Sequence, residues 1–321
     1  MKFGIVSGIF WALDTIVLGI ALSLYLPIEP FVANPSLAIS GAVVLALVGA
    51  GLHDTFCALW MLLYMGVKRR LLDTWIALKS RGGKACILAA CLGGPLGMGG
   101  YVIAISNIGP ATTAIISSFY PALGAALATV FLKEHMRPRQ WLALCIAIAA
   151  IVVMGVETAT ETTEGNSLIG LTGAILCVLG WGSEAVLLAW GMRDDAVDNE
   201  CALQIRETTS AIIYLFLLLP LIGALPTLLE AIASPVISVV GLAAALGITS
   251  YLFYYQGIKK IGAGKAMAVN ISYSAWSVIF SLIILGKIPD GIEILCCVCI
   301  LLGTIFAATD TIRPTAFFVH K

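Results

Sequence analysis

The chain has 321 residues, of which 60% are hydrophobic and 11% charged, and its mean hydropathy is +1.03. A soluble domain carries about 25% charged residues, so there is too little charge here to coat a water-facing surface. The formal net charge is zero, which removes the basic bias that would point to a nucleic-acid partner.

A membrane-crossing helix needs about 20 apolar residues to cover ~30 Å of hydrocarbon. Met1-Lys2-Phe3 runs straight into such a stretch without a small-residue cleavage site, so it reads as a retained first helix rather than a signal peptide. In chain order the apolar runs fall at 3–24, 43–66, 84–104, 111–132, 140–156, 168–191, 201–222, 235–257, 266–285 and 291–310. They predict an all-α integral membrane protein of ten transmembrane helices. With the N-terminus inside, every basic residue except Lys287 lies on an inner segment, so both termini are expected in the cytoplasm. The outer stretch with Glu157, Glu161 and Glu164 and no base agrees.

An internal repeat organises these spans. At an offset of 153 residues, His53-Asp54 falls on Arg206-Glu207, Tyr101 on Tyr254, Ile108-Gly109 on Ile261-Gly262 and Tyr120 on Tyr273. Upstream the offset becomes 170, where Trp11-x-x-Asp14 falls on Trp181-x-x-Glu184. The difference places about 17 extra residues in the first half, near 25–42, where Pro27, Pro30 and Pro35 stand. The predicted units are residues 1–156, an acidic outer linker 157–167, and residues 168–321. Five spans per half force the halves into opposite topology, and sites in such folds lie near the midplane at the repeat interface.

Ionisable groups inside the membrane are costly unless paired or hydrated. Asp14, His53, Asp54 and Glu184 lie within spans, and Arg206 and Glu207 in the inner part of the seventh, where Arg206 could equally be an interfacial or snorkelling residue. Trp60, Trp141 and Trp190 fit interfacial belts and Trp75 an inner loop. Trp11, Trp181, Trp276, Tyr101, Tyr120, Tyr254 and Tyr273 instead sit well inside their spans. Trp181 and Glu184 are three apart and share a helix face. An aromatic surface beside a carboxylate is what an organic cation requires, because ring quadrupoles attract diffuse charge that donates few hydrogen bonds. A primary amine would satisfy the same residues.

Gly93-Gly94-Pro95-Leu96-Gly97-Met98-Gly99-Gly100 predicts either a broken helix near a site or close helix packing. It lacks the Gly-Lys-Ser/Thr ending of a phosphate loop. The nine cysteines lie in or beside apolar runs; Cys296, Cys297 and Cys299 have no partner at zinc-ligand spacing, so they read as packing residues and no metal or cofactor is expected.

These motifs resemble the EamA family of the drug/metabolite transporter superfamily. More narrowly, Ser7-Gly8-Ile9-Phe10-Trp11, His53-Asp54, Gly94-Pro95-Leu96-Gly97-Met98 and Tyr120-Pro121-Ala122 are similar to bacterial LicB-type choline transporters. So are Trp181-Gly182-Ser183-Glu184, Ile205-Arg206, Ser250-Tyr251, Tyr254-Tyr255 and Asn270-Ile271-Ser272-Tyr273 followed by Trp276. The resemblance covers nearly the whole chain except 25–50. It implies proton-coupled import of choline across the bacterial inner membrane, supplying phosphocholine for surface glycans. Two features depart from the pattern: the 25–50 region is longer, and Asp14 stands where a small uncharged residue is expected.

The expected mechanism is alternating access around a midplane pocket. Trp11, Tyr101, Trp181, Tyr251, Tyr254, Tyr273 and Trp276 would form the cage and Glu184 would neutralise the cation. His53-Asp54 or Glu184 would take up the coupling proton, imidazole titrating near physiological pH, with Asp14, Arg206 and Glu207 as further electrostatic partners. The competing expectation is an exporter of amino acids or related metabolites, whose site should face a carboxylate with a base or a helix N-terminus. An intramembrane enzyme using His53-Asp54 would need more clustered polar residues than the spans contain.

Overall fold

The computed structural model describes residues 2–25, 41–117, 119–158, 166–286 and 288–308, and all regular structure within them is helical. α1 (Lys2–Tyr25) and α2 (Gly41–Val67) precede a short α3 (Leu71–Lys79). α4 (Arg81–Cys91) passes through a π-helical stretch, Leu92–Met98, into α5 (Gly99–Ser117). α6 (Tyr120–Leu127) ends in a π-helical turn, Ala128–Leu132, and is followed by α7 (Pro138–Thr158) and α8 (Ser167–Gly191). α9 (Asn199–Ile213) continues through the π-helical Tyr214–Leu218 into the single turn α10 (Leu219–Leu221). α11 (Leu225–Ala233), α12 (Val236–Ile261), α13 (Ala263–Asn270), α14 (Tyr273–Leu285) and α15 (Gly291–Ala308) complete the described chain.

Among the described residues, seven helical runs are long and apolar enough to cross a membrane: Lys2–Ala21, Val43–Val67, Arg81–Ala104, Ser167–Gly191, Asn199–Leu221, Val236–Ile261 and Ala263–Leu285. The other predicted spans correspond to shorter apolar helices among the described residues, Tyr120–Leu132, Pro138–Val153 and Gly291–Gly303. Most of the predicted extra stretch near 25–42 lies outside the described residues, as do Glu161, Glu164, Lys287, Arg313 and Lys321.

The polarity is the reverse of a soluble protein's. Phe131, Leu168, Phe216 and Leu295 are exposed, whereas Asp14, His53, Asp54, Arg206 and Glu207 are buried. Hydrocarbon suits such an exterior, and helices satisfy their own backbone bonds there. The principal packings set α1 along α12, α5 along α8, α2 against α9 and α7 against α15. Small residues permit the tightest of these. A Cβ on Gly100 would stand 2.6 Å from the Gly173 carbonyl oxygen, and one on Gly173 2.6 Å from that of Gly100, so only glycine lets α5 and α8 approach this closely.

Candidate functional site

Where α1, α6, α8, α12, α13 and α14 converge, they enclose a cavity of about 40 Å³. Its wall is aromatic: Trp11, Tyr120, Trp181, Tyr251, Tyr254 and Tyr273. Ser7, Ser250 and Asn270 supply neutral polar groups, and Glu184 is the acidic residue of the lining. Ser7 Oγ donates to Asn270 Oδ1 at 2.8 Å, and Asn270 Nδ2 donates to the Tyr120 hydroxyl at 3.3 Å. The rings hold one another: Trp181 lies edge-on to Trp11 and Tyr120 with centroids at 6.3 and 5.7 Å, and Trp11 meets Tyr251 at 5.1 Å.

Irregular helices position this wall. Pro95 cannot donate a backbone hydrogen bond, and it lies within the π-helical Leu92–Met98. There the Gly93 carbonyl accepts from Trp181 Nε1 at 3.2 Å, and the Gly94 carbonyl accepts from the Tyr214 hydroxyl at 3.3 Å. Gly93 also lies against Glu184, where any added Cβ would run into the carboxylate. The helix ends at Ser117 and restarts at Tyr120, and the other repeat likewise interrupts its helix between Asn270 and Tyr273. Two repeat-related tyrosines thus stand at the first residue after a break.

Beyond the cavity wall runs a buried polar chain. Arg206 Nε donates to Glu184 Oε1 at 2.8 Å and Nη1 donates to Glu207 Oε2 at 2.9 Å, with Asp54 Oδ2 farther off at 3.5 Å. The Arg206 guanidinium also lies 5.0 Å from the centre of the Tyr251 ring. Asp54 accepts from Ser210 Oγ at 2.6 Å. His53 bridges onward, its Nδ1 lying 3.4 Å from Asp54 and its Nε2 3.1 Å from Asp14 Oδ1. The chain Glu184–Arg206–Asp54–His53–Asp14 therefore links α8 and α9 to α2 and α1. It holds four carboxylates, counting Glu207, against one guanidinium and one imidazole. Even with His53 protonated, positive charge falls short of negative.

Six of the predicted binding residues, Trp11, Trp181, Glu184, Tyr251, Tyr254 and Tyr273, line the cavity together. Tyr101 stands behind them, its ring 5.0 Å from that of Trp181. Trp276 is not among the lining residues and stacks on Phe280 at 6.5 Å. Asp14, His53, Asp54, Arg206 and Glu207 do not line the cavity but form the adjoining chain. Arg206 is fully buried and so does not snorkel to an interface. The lining residues not singled out as a site from sequence are Ser7, Tyr120, Ser250 and Asn270. Tyr120 carried a usable signal, falling on Tyr273 at the 153-residue offset, whereas Ser7, Ser250 and Asn270 entered only as members of the motifs that carry the family resemblance.

A second charged cluster ties the end of α2 to the start of α9. Lys68 Nζ donates to Glu200 Oε1 at 2.6 Å, and Arg70 reaches both Asp198 and Glu200. Asp198 caps α9, accepting from the amides of Glu200 and Cys201 at 3.0 and 2.8 Å. Burial pushes its carboxyl up, but the Cys201 amide and the Arg70 guanidinium outweigh this and hold it below the usual carboxylate range.

A model of the EamA-like transporter family matches residues 1–156 and 168–309. Among curated proteins, Protein LicB of Haemophilus influenzae is 30% identical over 191 residues, which cover 60% of this chain and 63% of that protein. The match therefore spans less than two thirds of the relative's length. A solved crystal structure of another protein superposes over 95% of both chains with a TM-score of 0.63 and 17% identity, which shows a shared fold.

Proposed function

The chain belongs to the EamA-like transporter family, and on that premise we propose that it imports choline or a closely related organic cation across the bacterial inner membrane, coupled to protons. The observation that carries this reading is the meeting of Trp11, Trp181, Tyr251 and Tyr254 with Glu184 in one enclosed cavity. Aromatic faces hold a diffuse cation at about 0.5–2 kcal/mol each, more when water is excluded, and one carboxylate balances its charge. The similarity to Protein LicB and the shared LicB-type motifs support choline among such cations.

The adjoining polar chain supplies the coupling. Uncompensated buried carboxylates are costly, so the deficit of positive charge favours uptake of protons or of a cationic cargo. Glu184 belongs both to the cavity wall and to the chain through Arg206, so it is the residue through which cargo and proton sense each other. His53 and the acids on either side of it, Asp14 and Asp54, are the proton-carrying candidates farther along. An inside-negative potential favours cation entry by about 2.3 kcal/mol per charge per 100 mV.

The rings that wall the cavity close on one another edge to face, Trp181 on Trp11 and Tyr120, and Trp11 on Tyr251. The rings must part for cargo to enter, as rocking of two halves about the midplane would provide. Ten spans in two inverted halves, 1–156 and 168–321, with both termini in the cytoplasm, suit this motion. Packing supports that arrangement: α1 on α12 and α5 on α8 are one pairing made twice, because the repeat offsets match α1 to α8 and α5 to α12. Tyr101 would buttress Trp181 throughout, and Trp276 would join the wall only in another conformation.

Proteoliposomes test the proposal directly. Labelled choline should accumulate under an inside-negative potential, faster with an inward proton gradient, and other quaternary amines should compete. Absence of uptake together with absence of competition would sink it. One observation favours the second reading, export of amino acids: among the described residues Arg206 Nη2 has no hydrogen-bond partner, and it offers a buried donor to a substrate carboxylate. Arg206 does not line the cavity and already faces Glu184, Glu207 and Asp54. Tight binding of an amino acid, with none of choline, would nevertheless reverse the order.

A further inference from the structure

We propose that the surface groove between α4, α6 and α8 is a binding site for an anionic phospholipid, its phosphodiester held by Arg81 and Lys84. The groove encloses about 650 Å³ and is separate from the aromatic cavity. Arg81 and Lys84 lie three apart in the first turn of α4, on one face, and both are exposed. Among the described residues their side chains form no ion pair, whereas Lys68 and Arg70 nearby in sequence are engaged by Glu200 and Asp198. Among the described residues that line the groove there is no carboxylate. Asp194 accepts from the amides of Gly82 and Ala196 at 3.0 and 3.1 Å.

Away from the two cations the walls turn apolar. Leu88, Phe131 and Trp190 are 52, 67 and 47% exposed and line the groove with Leu187. A cationic mouth, a tryptophan at the helix end and an apolar trough beyond match, in order, a phosphate, a glycerol ester region and an acyl chain. A soluble anion would use the mouth and leave the trough uncovered; a zwitterionic lipid would bring its own cation towards Arg81 and Lys84. An anionic phospholipid of the phosphatidylglycerol kind satisfies both parts. Ser183 lines this groove while its neighbour Glu184 lines the aromatic cavity, so the lipid would flank the helix that carries the cargo carboxylate. The inference does not depend on the identity of the cargo.

Fluorescence quenching by brominated lipids in nanodiscs tests it, the Trp190 signal being isolated as the difference between the unaltered protein and Trp190→Phe. Brominated phosphatidylglycerol should quench Trp190 at far lower mole fraction than brominated phosphatidylcholine. The preference should be about 30-fold, from roughly fivefold for each basic side chain at a membrane surface. Joint Arg81→Gln and Lys84→Gln substitution should abolish the preference while thermal unfolding stays unchanged. If the double variant fails to fold, each single variant should weaken it severalfold. Equal quenching by both lipids, or a preference that survives loss of both charges, would overturn the assignment.

Discussion

Arg206 and Glu184 meet at 2.8 Å, Nε to Oε1, with the guanidinium fully buried and the carboxylate opening onto the aromatic cavity. On the proposed function, a cationic cargo arriving there would find the carboxylate already shared with an internal cation. Glu207 and Asp54 lie on another nitrogen of Arg206, so binding would shift the guanidinium towards them. Such a shift would carry the electrical effect of cargo from α8 into α2 and α1 through His53.

Glu184→Gln should therefore preserve the shape of the site and remove its charge. Loss of the one carboxylate that balances the cargo charge should weaken cargo binding at least about 10-fold, a tenfold step being about 1.4 kcal/mol. Calorimetry with choline measures this, and wild-type affinity in the variant would remove Glu184 from the site.

Trp181 sits among Trp11, Tyr101 and Tyr120 and donates to the Gly93 carbonyl. Trp181→Phe should keep an aromatic face but lose that bond, lowering affinity modestly. Trp181→Leu should lower it further without opening a large cavity, since cation attraction to the ring is lost. Equal affinity in the two variants would argue against a cage.

Asp14 touches His53 but does not line the cavity. Asp14→Asn is expected to leave choline affinity close to normal while flattening the dependence of uptake on an imposed proton gradient. Measuring binding and gradient-driven uptake on the same preparation separates the two effects. Loss of binding with unchanged coupling would contradict this division of labour.

Gly93 has no room for a Cβ beside the Glu184 carboxylate. Gly93→Ala should push Glu184 off Arg206 and impair transport, whereas Gly286→Ala, where nothing lies within 4 Å but the backbone is left-handed, should cost only stability. Full transport in Gly93→Ala would show that the Glu184 position is not critical.

Asp198→Ala removes the α9 cap and a partner of Arg70, a loss of about 1 kcal/mol for the cap. The carboxyl of Asp198 is held low in the folded protein, so its contribution is present above the usual carboxylate value and fades as pH falls. Melting in detergent should show the unaltered protein ahead at pH 7, with the gap narrowing below about pH 4. A gap independent of pH would mean that the charge of Asp198 contributes nothing.

Composition and periodicity alone determined the class and most of the helices, because hydrocarbon leaves a backbone few options and a run of about 20 apolar residues is hard to disguise. The sequence offset also brought out Trp11, Trp181, Glu184, Tyr254 and Tyr273, which line one cavity. Tertiary structure alone decided the rest. Nothing local in Arg206 distinguishes a snorkelling side chain from a buried one; only the approach of α8 and α2 to α9 surrounds it with Glu184, Asp54 and Glu207. Trp276 lies as far inside its predicted span as Trp181, yet in the structure it stands in the first turn after the break at Asn270–Tyr273 and stacks on Phe280 outside the wall. Ser7, Ser250 and Asn270 matter because they meet across more than 240 residues of chain, a proximity that span position does not encode. Asp14, an oddity in the sequence, acquires a partner in His53 at 3.1 Å, because the environment of a buried acid is set by the groups that the fold brings to it.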